Sequence, residues 1–216
     1  MPGIDALKAA PLNAEPFAHA VVPGFLTPET VAGAIADFPK LDMAGLFLPD
    51  ELTYGPRFAE LLKLVQGDAF RKAVGDKLGV DLTGLCTLTT VRGCAQGKDG
   101  RIHADSKFKV ATILLYLNEP WESQGGRLRV LRSGDNLDDY AGEVPPEGGT
   151  LFCFKVGPNS WHGHKPHVGV RRYIMLNYCR DEAARDSEKA RHRLSGRIKK
   201  LKRVFGIGKI PVATAH

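Results

Sequence analysis

Between residues 85 and 179 the chain alternates short β-rich segments with Gly, Pro, Asn and Asp. The segments are Leu85–Gly93, Arg101–Asp105, Val110–Leu117, Arg127–Arg132, Gly149–Lys155, Asn159–His164 and Arg171–Cys179. Seven short strands at this spacing, with no helix-length pattern among them, argue for a sandwich or barrel and against βαβ units. The flanks read differently. A first strand is expected at Ala18–Val22, after an Ala- and Pro-rich arm. Thr27-Pro28-Glu29 combines a capping hydroxyl, a proline at the first helical position and an acid in the first turn, so a helix is expected to run on to about Phe38. Pro56–Val65 and Asp68–Leu78 have helical apolar spacing, as does the tail Glu182–Phe205. Three parts of the chain follow: an arm with supporting helices of the same domain (1–84), a β core (85–181) and a basic helical tail (182–216).

Composition matters at two points. The net charge of +6 is concentrated at one end: residues 183–216 hold ten Lys or Arg against Asp186 and Glu188, leaving the rest of the chain at −2. A body with that charge gives no support to nucleic-acid binding. The tail has two readings. In the first, its stripe Leu194, Ile198, Leu201 and Phe205 docks on the body and its basic face is solvated; in the second, the tail touches an acidic membrane or another polyanion. The cysteines, Cys86, Cys94, Cys153 and Cys179, are scattered and show no CxxC, so they read as core residues rather than a zinc site or disulfide framework. The longest apolar run, Val110–Leu117, is too short to span a bilayer, and no secretory leader is read in the first residues. A cytoplasmic protein is expected.

The chemistry centres on histidines. In His103-Ala-Asp105 an imidazole and a carboxylate two residues apart share one face of a strand. His162, His164 and His167 follow more than fifty residues later. Two imidazoles and one carboxylate on one face of a metal leave its other positions open, a pattern suited to non-haem Fe(II). Arg171 and Arg172 begin the last strand, and an arginine at the floor of a barrel pocket calls for an anion, because an unpaired buried guanidinium is costly.

The stretch from His103 to Tyr178 resembles the 2-oxoglutarate and Fe(II)-dependent oxygenases of the prolyl-4-hydroxylase-like branch. The matching pieces occur in order: His103 and Asp105; Thr112-Ile-Leu-Leu-Tyr116-Leu-Asn118 with Trp121; Gly125-Gly126-Arg-Leu128; Pro145-Pro-Glu-Gly-Gly149 before Phe152; His162 with Pro166; and Gly169-Val-Arg171. The resemblance implies a double-stranded β-helix (jelly-roll) core; with the helical patterns on either side, the fold expected is mainly β, with N-terminal helices packed on one sheet and a basic C-terminal helix. It implies Fe(II) on His103, Asp105 and His162. It implies 2-oxoglutarate held by Arg171 and Tyr116, with Thr112 lining the same pocket and ascorbate as an optional reductant. The activity implied is hydroxylation of a C–H bond in a peptide side chain, amino acid or glycan, with release of succinate and CO2, and with no catalytic side chain beyond the metal site.

Three assignments stay open. His162 and His164 share a strand face, and the spacing to Pro166 favours His162, which makes His164 a pocket-lining residue. Gly-x-Arg fits Arg171, whereas a ten-residue spacing from His162 fits Arg172; only one of the two can point inward. Arg92 reads either as a substrate-side residue or as half of a surface ion pair. Lys107 and Lys109 read as a solvated loop. The alternative to an enzyme is a jelly roll that binds metal without catalysis or without 2-oxoglutarate, as a sensor or cupin-like protein.

Overall fold

The computed structural model describes residues 2–204 and residue 210. The expected Phe205 of the apolar stripe and Lys209 of the basic tail lie outside the described residues. Two antiparallel sheets form the core. The larger has five strands, in the spatial order β1 (His19–Val22), β6 (Leu151–Lys155), β3 (Lys109–Tyr116), β8 (Gly169–Cys179), β2 (Cys86–Ala95). The smaller has three, in the order β5 (Tyr140–Val144), β4 (Leu128–Leu131), β7 (His162–Gly163). This is the jelly-roll arrangement expected from the sequence.

Strand alternation divides the core in two. Leu114, Tyr116 and Tyr173 point between the sheets, where they meet Leu128, Val130, Val144, Phe152 and Phe154. Ile113, Leu115, Ile174, Leu176 and Tyr178 point to the other face of the large sheet. There they pack under α1 (Pro2–Ala9), α2 (Pro28–Ala36), α3 (Pro56–Gln66) and α4 (Asp68–Leu78), which contribute Leu7, Ala34, Phe58, Leu62, Phe70 and Val74. The helix starts are written locally. Thr27 Oγ1 accepts the Thr30 amide at 3.3 Å with Pro28 next to it, and α4 ends on Gly79 at φ +64°, a left-handed cap that glycine adopts without strain.

The structure adds to the sequence reading and corrects it. The arm contains α1, whose apolar face settles against α4. Between the expected segments Arg127–Arg132 and Gly149–Lys155 lies a further strand, β5, in register with β4 through Leu128↔Val144 and Arg129↔Glu143. The strand expected over Arg101–Asp105 reduces to one bridge, His103 to His162.

The tail forms α5 (Glu182–Val204), but it docks the other way round from the first reading. Leu194, Ile198 and Leu201 are 62%, 47% and 62% exposed, so the apolar stripe faces away from the body. The docked face is polar: Glu188 lies 3.8 Å from the buried Lys109 Nζ, Arg193 bonds Asp50 at 2.5 Å, and Lys199 sits 5.0 Å above the Phe47 ring. Gly196 is buried against Glu51, where an added Cβ would come within 3.2 Å of the carboxylate. Charge pairing to the body, rather than apolar burial, sets the orientation of the helix.

Candidate metal and co-substrate site

A cavity of about 360 Å³ opens between the two sheets at the end where β7, β8 and the 99–106 segment meet. His103, Asp105 and His162 converge there, with one potential ligand atom from each within 4.8 Å of the others. The backbone fixes this meeting. His103 and His162 form an isolated antiparallel bridge, and their rings stand 4.3 Å apart.

Hydrogen bonding orients both rings. His103 Nδ1 lies 2.9 Å from Arg101 O, and His162 Nδ1 lies 2.9 Å from Ser160 O. A carbonyl can only accept, so each Nδ1 carries the proton and each Nε2 keeps a free lone pair for a metal. Burial, with the neighbouring His103, pushes the His162 pKa down to about 4, so this ring is neutral at physiological pH. Asp105 is held on both oxygens: Thr112 Oγ1 donates to Oδ2 at 2.5 Å, and Lys109 Nζ lies 3.5 Å from Oδ1. Burial works against its charge, but Lys109, His162 and Thr112 together hold the carboxyl below its usual range.

Deeper in the cavity lies Arg171, 3% exposed. Its Nε donates to Gly126 O at 2.9 Å, and Nη2 lies 3.4 Å from the Tyr116 hydroxyl. The guanidinium stacks on the Tyr116 and Tyr173 rings, with centroids at 5.4 and 5.2 Å. It makes no ion pair with any of the described residues. A buried cation with aromatic walls and no carboxylate partner is unfavourable unless an anion enters. Burial raises the Tyr116 pKa, so its phenol stays protonated and can donate beside the guanidinium.

The alternatives left open by the sequence separate in space. Arg172 points to the opposite face of β8, with its guanidinium 5.7 Å from the Phe38 ring centroid. His164 is buried in the cavity wall but stands outside the three-residue convergence. Its Nδ1 donates to Lys165 O at 2.8 Å, and burial, with Arg171 nearby, lowers its pKa to about 4. Gly100 makes room for this ring: at φ +86°, a Cβ there would come within 2.3 Å of the imidazole. His167 uses both nitrogens, toward Ser123 Oγ and Val170 O, each at 3.2 Å, and has none left for a ligand role. Arg92 lines the cavity and pairs with Asp99 at 2.5 Å, and this ion pair is largely buried rather than at the surface. Thr112 lines the cavity, and its hydroxyl donates to Asp105.

Lys109 corrects the sequence reading. It is 5% exposed and bridges Asp105 to Glu188 of α5, instead of lying in a solvated loop. Glu188 and His192 of α5 also line the cavity. The signal available for Lys109 was its four-residue spacing from Asp105; Glu188 stood out only as one of three acids in a basic tail.

Fold and site together define a jelly-roll protein in which two histidines and one carboxylate meet, a donor set that could hold a non-haem iron. Residues 89–180 match the model of the 2OG-Fe(II) oxygenase superfamily, so the chain resembles that superfamily over its β core. Fe(II) and 2-oxoglutarate are the cofactors of that superfamily, and the donor set and the unpaired Arg171 fit them. No curated protein matches the chain.

Solved structures share the fold. A prolyl-4-hydroxylase from Pseudomonas putida superposes with a TM-score of 0.56 at 21% identity, covering 84% of this chain and 100% of that one. A Trichoplax adhaerens prolyl hydroxylase, in complex with a hypoxia inducible factor peptide fragment, gives 0.54 at 19%, covering 86% and 90%. HygX from Streptomyces hygroscopicus, with nickel and 2-oxoglutarate bound, gives 0.52 at 15%, covering 74% and 81%.

Proposed function

We propose that the protein hydroxylates a C–H bond of a peptide side chain, amino acid or glycan, with residues 85–181 as the catalytic core and 1–84 as its scaffold. The carrying observation is the unpaired, buried Arg171 in the same cavity as the His103–Asp105–His162 cluster. Bound Fe(II) with 2-oxoglutarate supplies the oxidising chemistry, consuming O2 and releasing succinate and CO2.

The chain's own residues bind, orient and shield. His103 and His162 offer Nε2, and Asp105 an oxygen, to the metal. Arg171 and Tyr116 take the far carboxylate of 2-oxoglutarate, the guanidinium by charge and the phenol by its proton. Thr112 and Lys109 hold the Asp105 rotamer. Leu114, Leu128 and Met175 make the cavity wall apolar and limit water. The substrate enters between the 93–101 segment and α5, where Asp99, Glu188 and His192 offer polar contacts. The hydroxylated position and the substrate itself are set at this mouth. Four free cysteines support a reducing, cytoplasmic location, and no helix among the described residues is long and apolar enough to cross a membrane.

Anaerobic titration with Fe(II) and then 2-oxoglutarate tests the reading. A weak visible charge-transfer band in the wild type, absent in His103→Ala, is the expected result. Iron binding without the band favours a metal-binding jelly roll that does not use 2-oxoglutarate. No iron binding overturns the proposal.

A further inference from the structure

The apolar stripe of α5 faces away from the body. Leu194, Ile198 and Leu201 follow one another at four and three residues, so they form a single line on the helix, continued toward its start by the exposed Ala190. The opposite side of the same helix, with Glu188, His192, Gly196 and Lys199, is the side that meets the protein. The exposed side is cationic at its margins. Arg191 lies on one flank of the stripe and Arg197 on the other, both exposed, and Arg197 makes no ion pair among the described residues. The sequence around the stripe, Arg197-Ile-Lys-Lys-Leu-Lys-Arg203, holds five cations in seven residues and no acid.

We propose that this face of α5 lies on an anionic lipid surface, with Leu194, Ile198 and Leu201 in the headgroup–acyl boundary and the flanking arginines at the phosphates. The inference stands independently of the oxygenase reading. Charge decides among the occupants. A second copy of the helix would set two cationic margins against each other, and like charges across a helix pair are unfavourable. A narrow apolar line with cations on both sides is the pattern of a helix that lies in a membrane interface rather than spanning it. No described helix is long and apolar enough to span one. The same helix puts Glu188 and His192 into the wall of the site cavity, so a docked protein would hold the mouth of the cavity close to the lipid plane.

The test is flotation of the full-length protein with vesicles of phosphatidylcholine containing about one-third phosphatidylglycerol, against phosphatidylcholine alone, at low and high salt. The expected result is flotation with the anionic vesicles only, weakening as salt rises. The double variant Leu194→Glu/Ile198→Glu is expected to lose at least about tenfold in partitioning while its Fe(II) titration stays unchanged. Arg197→Glu, which keeps the stripe, should weaken flotation several-fold. Absence of flotation with anionic vesicles overturns the proposal, as does equal flotation by the double variant with native helix content. Concentration-dependent dimers in sedimentation that this variant abolishes would assign the face to a second copy and overturn it as well. Capture of the stripe by an acidic protein, with no lipid binding, would do the same.

Discussion

His103 and His162 donate their backbone amides to each other's carbonyls, both at 3.0 Å. Two residues nearly sixty positions apart are thus registered by main-chain bonds before any metal arrives. Side-chain removal leaves this bridge in place. His103→Ala should therefore fold normally by circular dichroism and thermal melting, while losing more Fe(II) affinity than the roughly 10- to 100-fold typical of changes one shell further out. A large drop in Tm would mean that the imidazole itself supports the fold.

Arg171 and Arg172 are neighbours in sequence on opposite faces of β8. Arg171→Ala should weaken 2-oxoglutarate binding by about 2–5 kcal/mol, the scale for removing one member of a desolvated charge pair. Arg172→Ala should change it by less than about threefold, because its guanidinium stacks near Phe38 outside the cavity. Isothermal titration of the Fe(II)-loaded protein under anaerobic conditions distinguishes the two.

Thr112→Val preserves shape and removes the hydroxyl that donates to Asp105. A loss of about tenfold or more in metal affinity is expected, with little change in fold. Lys109→Met should act in the same direction, because the ammonium beside Oδ1 favours the charged carboxylate.

His19 is not among the residues that line the cavity and gives a separate pH prediction. It is buried between Phe17 and Phe152, and burial lowers its pKa despite the bond from Nδ1 to Phe17 O. A histidine with a folded pKa below its unfolded value takes up a proton on unfolding. Stability should therefore fall as pH drops below about 6.5, and level off once pH passes the lowered folded value. His164, at about 4, acts in the same sense. His19→Phe should flatten part of this slope in a series of thermal melts from pH 7.5 to about 4.

Leu176 is 1% exposed and packs under the helices, on the face of β8 turned away from the cavity. Leu176→Ala should cost about 2–5 kcal/mol in urea unfolding. Its 2-oxoglutarate affinity should remain near wild type in the folded protein.

Much of this was legible in the sequence for identifiable reasons. The start at Thr27-Pro28 and the apolar spacing of Asp68–Leu78 are local signals, and α2 and α4 follow them. Strand alternation accounts for Tyr173 and Met175 on the side of Arg171, and for Ile174, Leu176 and Tyr178 beneath the helices. What escaped depended on contacts between distant segments. β5 is Tyr-Ala-Gly-Glu-Val, with little β-branched content, and becomes a strand because Arg129 of β4 pairs with Glu143 across it. The orientation of α5 was hidden because apolar spacing reveals a stripe but not its partner. The pairs Lys109–Glu188 and Asp50–Arg193 decide that question, and the second joins residues 143 positions apart.

The division of β8 into two faces has a consequence for how such a protein can change. Positions 173 and 175 line the cavity and can be exchanged to alter what it accepts, while 174, 176 and 178 keep the helices in place. Selection on substrate and selection on stability thus act on alternate residues of a single strand. A library randomised at Leu114, Leu128 and Met175 would explore new specificities without touching the packing beneath the helices.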